Sequence, residues 1–227
     1  MARPAVSDVL VQESRRAFMS RVYGWMFAGL AVTGVVALFI AASPQLVMQI
    51  AQFRWLLFFA QLGLVFALSG MANRLSGAVA GALFLAYSVL TGLTFSVLFY
   101  VYTSGSIANA FLMSAGAFGA MSVFGTVTKK DLSGWSTFLF MGLIGIFVAS
   151  IVQVFVQSPM MNFVLGCAGV LVFAGLTAYD TQKLREMHAE SGYSSAATLS
   201  IVGALTLYLD FINLFISLLR LVGVRRD

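Results

Sequence analysis

Residues 196–223 read AATLSIVGALTLYLDFINLFISLLRLVG, an apolar run with one carboxylate, Asp210, near its middle. From Ala196 to Val222 the run is 27 residues long. As a helix it would extend about 40 Å, more than the ~30 Å hydrocarbon core of a bilayer. Its polar and small residues are Ser200, Gly203, Thr206, Asp210, Asn213, Ser217 and Arg220. Their steps of three and four keep them on one helical face. Leu, Ile, Phe, Val and Tyr make up most of the remaining surface. Ionisable groups inside a membrane turn toward protein or water. The stripe therefore predicts an enclosed helix with the other helices packed around it. Small and hydroxyl residues alone would be ordinary packing, so a structural polar seam is the alternative reading. Asp210 is the residue that argues for more.

The rest of the chain has the same character. Hydrophobic residues make up 60% of it and charged residues 9%, against ~25% charged in a soluble domain. Mean hydropathy is +0.96. These values predict an all-α integral membrane protein. The first apolar run, from Val22, is too long for a signal-peptide core, and no small-residue cleavage site follows it. It is expected to stay in the protein as the first span. The single cysteine, Cys167, lies in an apolar run and reads as a small buried hydrophobe. The net charge of +5 reports topology here and gives no nucleic-acid signal.

Read in order, residues 1–21 form a basic arm with Arg3, Arg15, Arg16 and Arg21. Seven spans follow, at about 22–43, 55–72, 77–102, 106–128, 134–156, 160–180 and 196–222, and 22–227 form one transmembrane domain. A short loop carrying Arg54 separates the first two, and the sixth is expected to continue as a helix toward His188. Ala115–Gly119 and Gly116–Ala120 are small-xxx-small pairs, and Gly142, Gly145 and Ala149 share a face. Both groups predict close helix packing. Thr91, Gly92, Thr94 and Ser96 suit either a polar path or packing.

Basic residues set the orientation. With the N-terminus inside, nine Lys and Arg fall on the inner side: four in the arm, then Arg74, Lys129, Lys130, Lys183 and Arg185. Arg54, Arg220, Arg225 and Arg226 fall outside, four in all. This predicts a cytoplasmic N-terminus. Were the last helix to fold back, the balance would become twelve to one, so the side of the C-terminus stays open.

Of eight acidic residues, only Asp180 and Asp210 sit at or within apolar runs. The two runs are joined by a short loop and should be antiparallel neighbours. Two carboxylates meeting in low dielectric cannot both ionise, and one proton is shared. Depth argues the other way. From a turn at Gly192, Asp180 is 12 residues away and Asp210 is 18, a mismatch of about 9 Å. Asp180 has an alternative partner in Lys183, three residues on. Arg74 would either snorkel to the headgroups or reach the acidic pair. His188 reads as solvated. No His, Cys or carboxylate group has metal-ligand spacing, and no Walker-type loop supports an ATP-driven pump. No cofactor is expected.

Four stretches resemble the Bax inhibitor-1 (transmembrane Bax inhibitor motif) family, above all its bacterial inner-membrane members. They are GLTFSVLF at 92–99, TKKDLSG at 128–134, GLTAYDTQKL at 175–184 and ALTLYLDFINLFISLLRLVG at 204–223. The resemblance covers nearly the whole chain. It implies seven helices, with a central seventh wrapped by helices 1–3 and 4–6. It also implies a pH-sensitive calcium leak, in which Asp180 and Asp210 form a hydrogen-bonded, proton-sensing pair engaged by Arg74.

The expected activity is therefore a passive cation pathway and not an enzyme. Calcium takes six to eight oxygen ligands. Asp180 and Asp210, with Thr206, Asn213 and Ser217 lining the path, offer a weak and transient set, and weak binding suits conduction. The expected partners are lipids, calcium and protons. The alternative is a non-conducting modulator that binds another membrane protein, such as a membrane protease. An intramembrane aspartyl protease would also need two membrane aspartates, one often after tyrosine as at Tyr179-Asp180. Here Tyr208-Leu209 precede Asp210 where that type has Gly-x-Gly, and no Pro-Ala-Leu element follows.

Overall fold

Prolines and hydroxyl caps divide the apolar chain into helices. The structure, a computed structural model, describes residues 6–190 and 196–226, with side chains from Glu13 to Glu186 and from Ala196 to Arg226. Arg3, Asp227, the turn at Gly192 and the side chains of Asp8, His188 and Glu190 lie outside that description. Helix α1 covers Val6–Ala41. It runs without a break through residues 21 and 22, with Phe18, Val22 and Met26 buried along one row. Ser43 is extended ahead of Pro44, the conformation a following proline demands.

Pro44 then opens α2, Pro44–Gln52, at a position where its missing N–H costs nothing. This nine-residue helix occupies the expected loop. Helix α3, Arg54–Gly70, follows at a 70° bend. Its 17 residues rise only about 26 Å. This is why six helices are long and apolar enough to cross a membrane, or seven if α2 and α3 count as one span, among the described residues.

Ser76 caps α4, Gly77–Ser96, and α5, Leu98–Val101, continues it past a break at Val97. Thr103 caps α6, Ser104–Val127. Helix α7 covers Ser136–Val156 and ends on Gln157 in the left-handed conformation, φ 50°. Helix α8 is Pro159–Glu190, carrying the sixth span on as a helix toward the end that the sequence predicts. Helix α9 is Ala196–Val222, matching the predicted last span.

The chain divides into two units, one of residues 1–98 with 184–208, the other of residues 99–183 with 209–227. In the first, α1 packs on α4. A Cβ on Gly92 would lie 2.7 Å from Val36 Cβ and 2.8 Å from the Thr33 carbonyl, so this approach needs glycine. The hydroxyls of Thr91, Thr94 and Ser96 bond carbonyls of their own helix; Thr91, Gly92 and Ser96 are buried and Thr94 is exposed. Thr33 Oγ1, Tyr208 and the Ser88 carbonyl form a buried polar knot.

In the second unit, α6 buries Ala110, Ser114, Phe118, Ser122 and Gly125. The small pairs expected to pack, Ala115–Gly119 and Gly116–Ala120, are exposed instead. The reason is bulk. Phe111 and Phe118 close edge-on around Phe211 of α9, with centroids 5.5 and 5.6 Å away, which turns the opposite face outward. On α7, Gly142 packs against Val172, whereas Gly145 faces open space.

The enclosed reading of the last helix holds. The membrane window of α9 is 72% buried, against 6% for α7. Enclosure is not confined to the polar stripe. Leu205, Leu207, Tyr208 and Leu214 are as buried as Ser200.

Candidate functional site

The second unit builds the site where α6, α8 and the Thr128–Gly134 segment converge on the second half of α9. Gly125 lets α6 approach until a Cβ there would collide with the Ala178 carbonyl. One turn away, Ser122 and Thr181 share a hydrogen bond of 3.2 Å. Gln182 then clamps the loop. Its Oε1 accepts from Leu132 N at 2.8 Å, and its Nε2 donates to the Lys130 carbonyl at 2.9 Å. Asp180 sits among these fixed points and cannot drift relative to α6.

The carboxyl groups of Asp180 and Asp210 are neighbours, each within electrostatic reach of the other. Asp210 is 5% exposed, and its Oδ2 is buried without a partner. The depth mismatch is smaller than the sequence implied. Asp180 stands ten residues before the end of α8 and Asp210 fourteen after the start of α9, a difference worth about 6 Å. Side chains lean toward the N-terminus of their own helix. On antiparallel neighbours that lean moves Asp180 away from the connecting loop and Asp210 toward it. Both movements close the gap.

Lys183, the alternative partner of Asp180, lies within electrostatic reach of it. Lys183 is exposed, with its ammonium 5.6 Å from the centre of the Tyr179 ring. Arg74 is exposed at the end of the short 3-10 turn Ala72–Arg74.

The other stripe residues spend their hydrogens on their own helix. Thr206 bonds the Val202 carbonyl, Asn213 the Leu209 carbonyl and Ser217 the Asn213 carbonyl. Their oxygens remain as acceptors. Ser217 is packed against Gly169 of α8. Among the described residues no group of three or more His, Cys, Asp or Glu side chains could hold a metal ion. The aspartate pair therefore offers carboxylate oxygens from two residues only. The sequence reading missed Gln182, Ser122 and Gly125. Gln182 had one available signal, its place two residues after Asp180 in the GLTAYDTQKL stretch.

Fold and site together define a multi-pass helical membrane protein with one enclosed carboxyl, Asp210 of its last helix, beside the part-buried Asp180 of the helix before it. The chain belongs to the Bax inhibitor family: residues 15–227 match the family model described as inhibitor of apoptosis-promoting Bax1. It is 49% identical to the inner membrane protein YbhL of Escherichia coli K12, over 97% of each chain. An uncharacterized protein of Deinococcus radiodurans is 50% identical, over 100% of this chain and 98% of its own. An uncharacterized membrane protein of Streptococcus pyogenes is 43% identical, over 72% of this chain and 71% of its own.

Proposed function

We propose that the protein is a pH-gated leak for cations, calcium among them, in the bacterial inner membrane. The observation that carries this reading is the closeness of Asp180 to Asp210, whose carboxyl is enclosed. Two carboxylates bond only when a proton stands between them. The singly protonated pair ties α8 to α9. Loss of that proton leaves two like charges in low dielectric and pushes the helices apart. Full protonation removes the charge that attracts a cation. Lys183 is the charged group of α8 that acts on Asp180. Calcium is cargo in this reading, touching the pair and the acceptor oxygens of Thr206, Asn213 and Ser217 in passing. The protein needs no cofactor and catalyses no reaction.

The same reading takes α2 and α3 as one crossing. Seven crossings then place α9 at the centre, as the family resemblance implies, with the N-terminus in the cytoplasm by the basic-residue balance. Cysteines placed at Ser14 and Gln45 in a Cys167→Ala background should label from opposite sides of the membrane. Arg74 is taken to engage the pair.

Calcium entry into dye-loaded proteoliposomes, titrated from about pH 5 to 8, tests the gate across the interval between ordinary carboxylate titration and neutrality. Flux should change with pH in the parent, and Asp180→Asn and Asp210→Asn should each flatten the response. Arg74→Ala should alter the profile. Parent-like titration in both Asn variants would remove the pair as sensor. Absence of flux from folded parent protein would leave a non-conducting modulator as the better reading.

A further inference from the structure

The stripe on α9 ends in Arg220, and the gate has no use for this residue. Arg220 lines a cavity of about 250 Å³ formed by the ends of α7, α8 and α9 within the second unit. Arg225 lines it too, and among the described residues no acidic one does. Two guanidinium charges lining one cavity favour an anionic occupant.

Arg225 does not dangle from the end of the chain. The segment after α9 is stitched to the linker between α5 and α6. Thr103 N donates to the Val224 carbonyl at 3.0 Å, and Arg226 N to the Val101 carbonyl at 3.0 Å. Val224 N donates to Ser106 Oγ at 2.9 Å, and Arg225 pairs with Tyr102 in an isolated antiparallel bridge. These bonds fix the backbone that carries Arg225 beside the cavity. The fixed N-terminus of α8 lies in the same wall, with Ser158 Oγ accepting from Met161 N. A helix start carries partial positive charge and favours anions.

The wall also holds one buried acceptor. Gln153 Nε2 donates to the Ser158 carbonyl at 2.9 Å, which leaves Gln153 Oε1 buried with no partner. An occupant that suits the site is therefore an anion carrying a donor of its own. Phe155, Val156, Met160 and Phe163, close in sequence to the lining residues, are 77, 58, 71 and 56% exposed. They lie at the end of α7 and the start of α8, where a span is expected to meet the headgroup layer. Basic pockets at that depth bind anionic headgroups.

We propose that this cavity holds the headgroup of an anionic phospholipid. Arg220 and Arg225 pair with its phosphate, and Gln153 accepts from a headgroup hydroxyl. Guanidinium forks match phosphate oxygens. A glycerol headgroup supplies hydroxyl donors, which a choline headgroup lacks.

The test uses the full chain, purified in detergent and examined by native mass spectrometry with phosphatidylglycerol, phosphatidylcholine or inorganic phosphate added. One phosphatidylglycerol should stay bound in preference to phosphatidylcholine. Arg220→Gln and Arg225→Gln should each weaken retention about tenfold, the scale of one lost charge-assisted pair. Thermal melting checks that the variants fold, and Arg225→Lys should keep part of the binding. Gln153→Leu should retain phospholipid and narrow, without abolishing, the preference for glycerol over choline, since the arginines still favour the net-negative headgroup. Equal retention by the parent and both folded Gln variants would overturn the proposal. So would arginine-dependent binding of inorganic phosphate without lipid retention, which would make the site one for a free anion.

Discussion

The Tyr208 hydroxyl lies 2.6 Å from Thr33 Oγ1, tying α9 to α1 two residues before Asp210. Thr33 Oγ1 also reaches the Gly29 and Ser88 carbonyls, at 2.9 and 3.0 Å. Its single proton serves those carbonyls, so Tyr208 is the donor to Thr33. The Tyr208 ring is wedged edge-on between Phe84 and Tyr87, with centroids 5.6 and 5.8 Å away. Packing and hydrogen bond thus fix the same side chain. Tyr208→Phe keeps the ring and removes one bond, and should cost about 1 kcal/mol. Thermal melts of Tyr208→Phe, Thr33→Val and the double variant should show less than additive loss, because the two residues share one interaction.

Gly125 and Gly119 lie on the same helix and should respond oppositely to a methyl group. At Gly125 a Cβ meets the Ala178 main chain, which cannot rotate away. Gly125→Ala should therefore lower stability by about 1–3 kcal/mol through overpacking and shift α8 beside Asp180. At Gly119 a Cβ meets nothing within 4 Å. There Gly119→Ala should be neutral or stabilise by up to about 1 kcal/mol, since alanine suits a helix interior better. Paired melting curves of the two variants distinguish a packing glycine from an outward one.

The Gln182 clamp makes a third expectation. Gln182→Leu leaves the Leu132 amide without its 2.8 Å acceptor, at a cost of about 1–3 kcal/mol for an unsatisfied buried donor. Hydrogen exchange at Leu132 should speed up in the variant, while amides in α9 stay protected. If the clamp also positions Asp180, the pH profile of flux should move in the same variant.

Asp131 gives the loop a separate pH dependence. Its carboxylate accepts from Ser133 N at 2.8 Å. That backbone bond first, and the Ser133 hydroxyl second, hold it below the ordinary carboxylate range. A folded-state value below the unfolded one stabilises the fold above the unfolded value of about 3.9. The contribution is lost as pH falls through the folded value. Protection of the Ser133 amide should hold at neutral pH and fail only in strong acid. In Asp131→Ala it should be weak at every pH.

Much of the architecture was legible because a bilayer leaves the backbone few choices. Runs of about 20 apolar residues must be helices, and prolines and capping hydroxyls mark their ends. The loop after the first span is the informative difference: it holds a helix, which Pro44 opens. A nine-residue helix with only Val47 buried carries too little apolar surface to stand out in a sequence. The outward face of α6 escaped for a related reason. Small residues permit close packing on any face, and Phe111, Phe118 and Phe211 decided which face α6 would use.

The chain's composition and its four family-like stretches determined, without coordinates, that this is a helical membrane protein whose last helix is enclosed. Burial of Asp210 follows from the same sequence, because lipid does not accept a carboxylate. The contact between Asp180 and Asp210 was decided only in three dimensions. It depends on the helical continuation of α8 and on the opposed lean of side chains from antiparallel helices. It also depends on Gly125 and Gln182, which hold α8 in place. The anion cavity is tertiary in the same sense. Arg220 and Arg225 are five residues apart in the chain, a spacing that puts no shared face on a helix. They face one cavity because the tail leaves α9 and is bonded to the linker between α5 and α6.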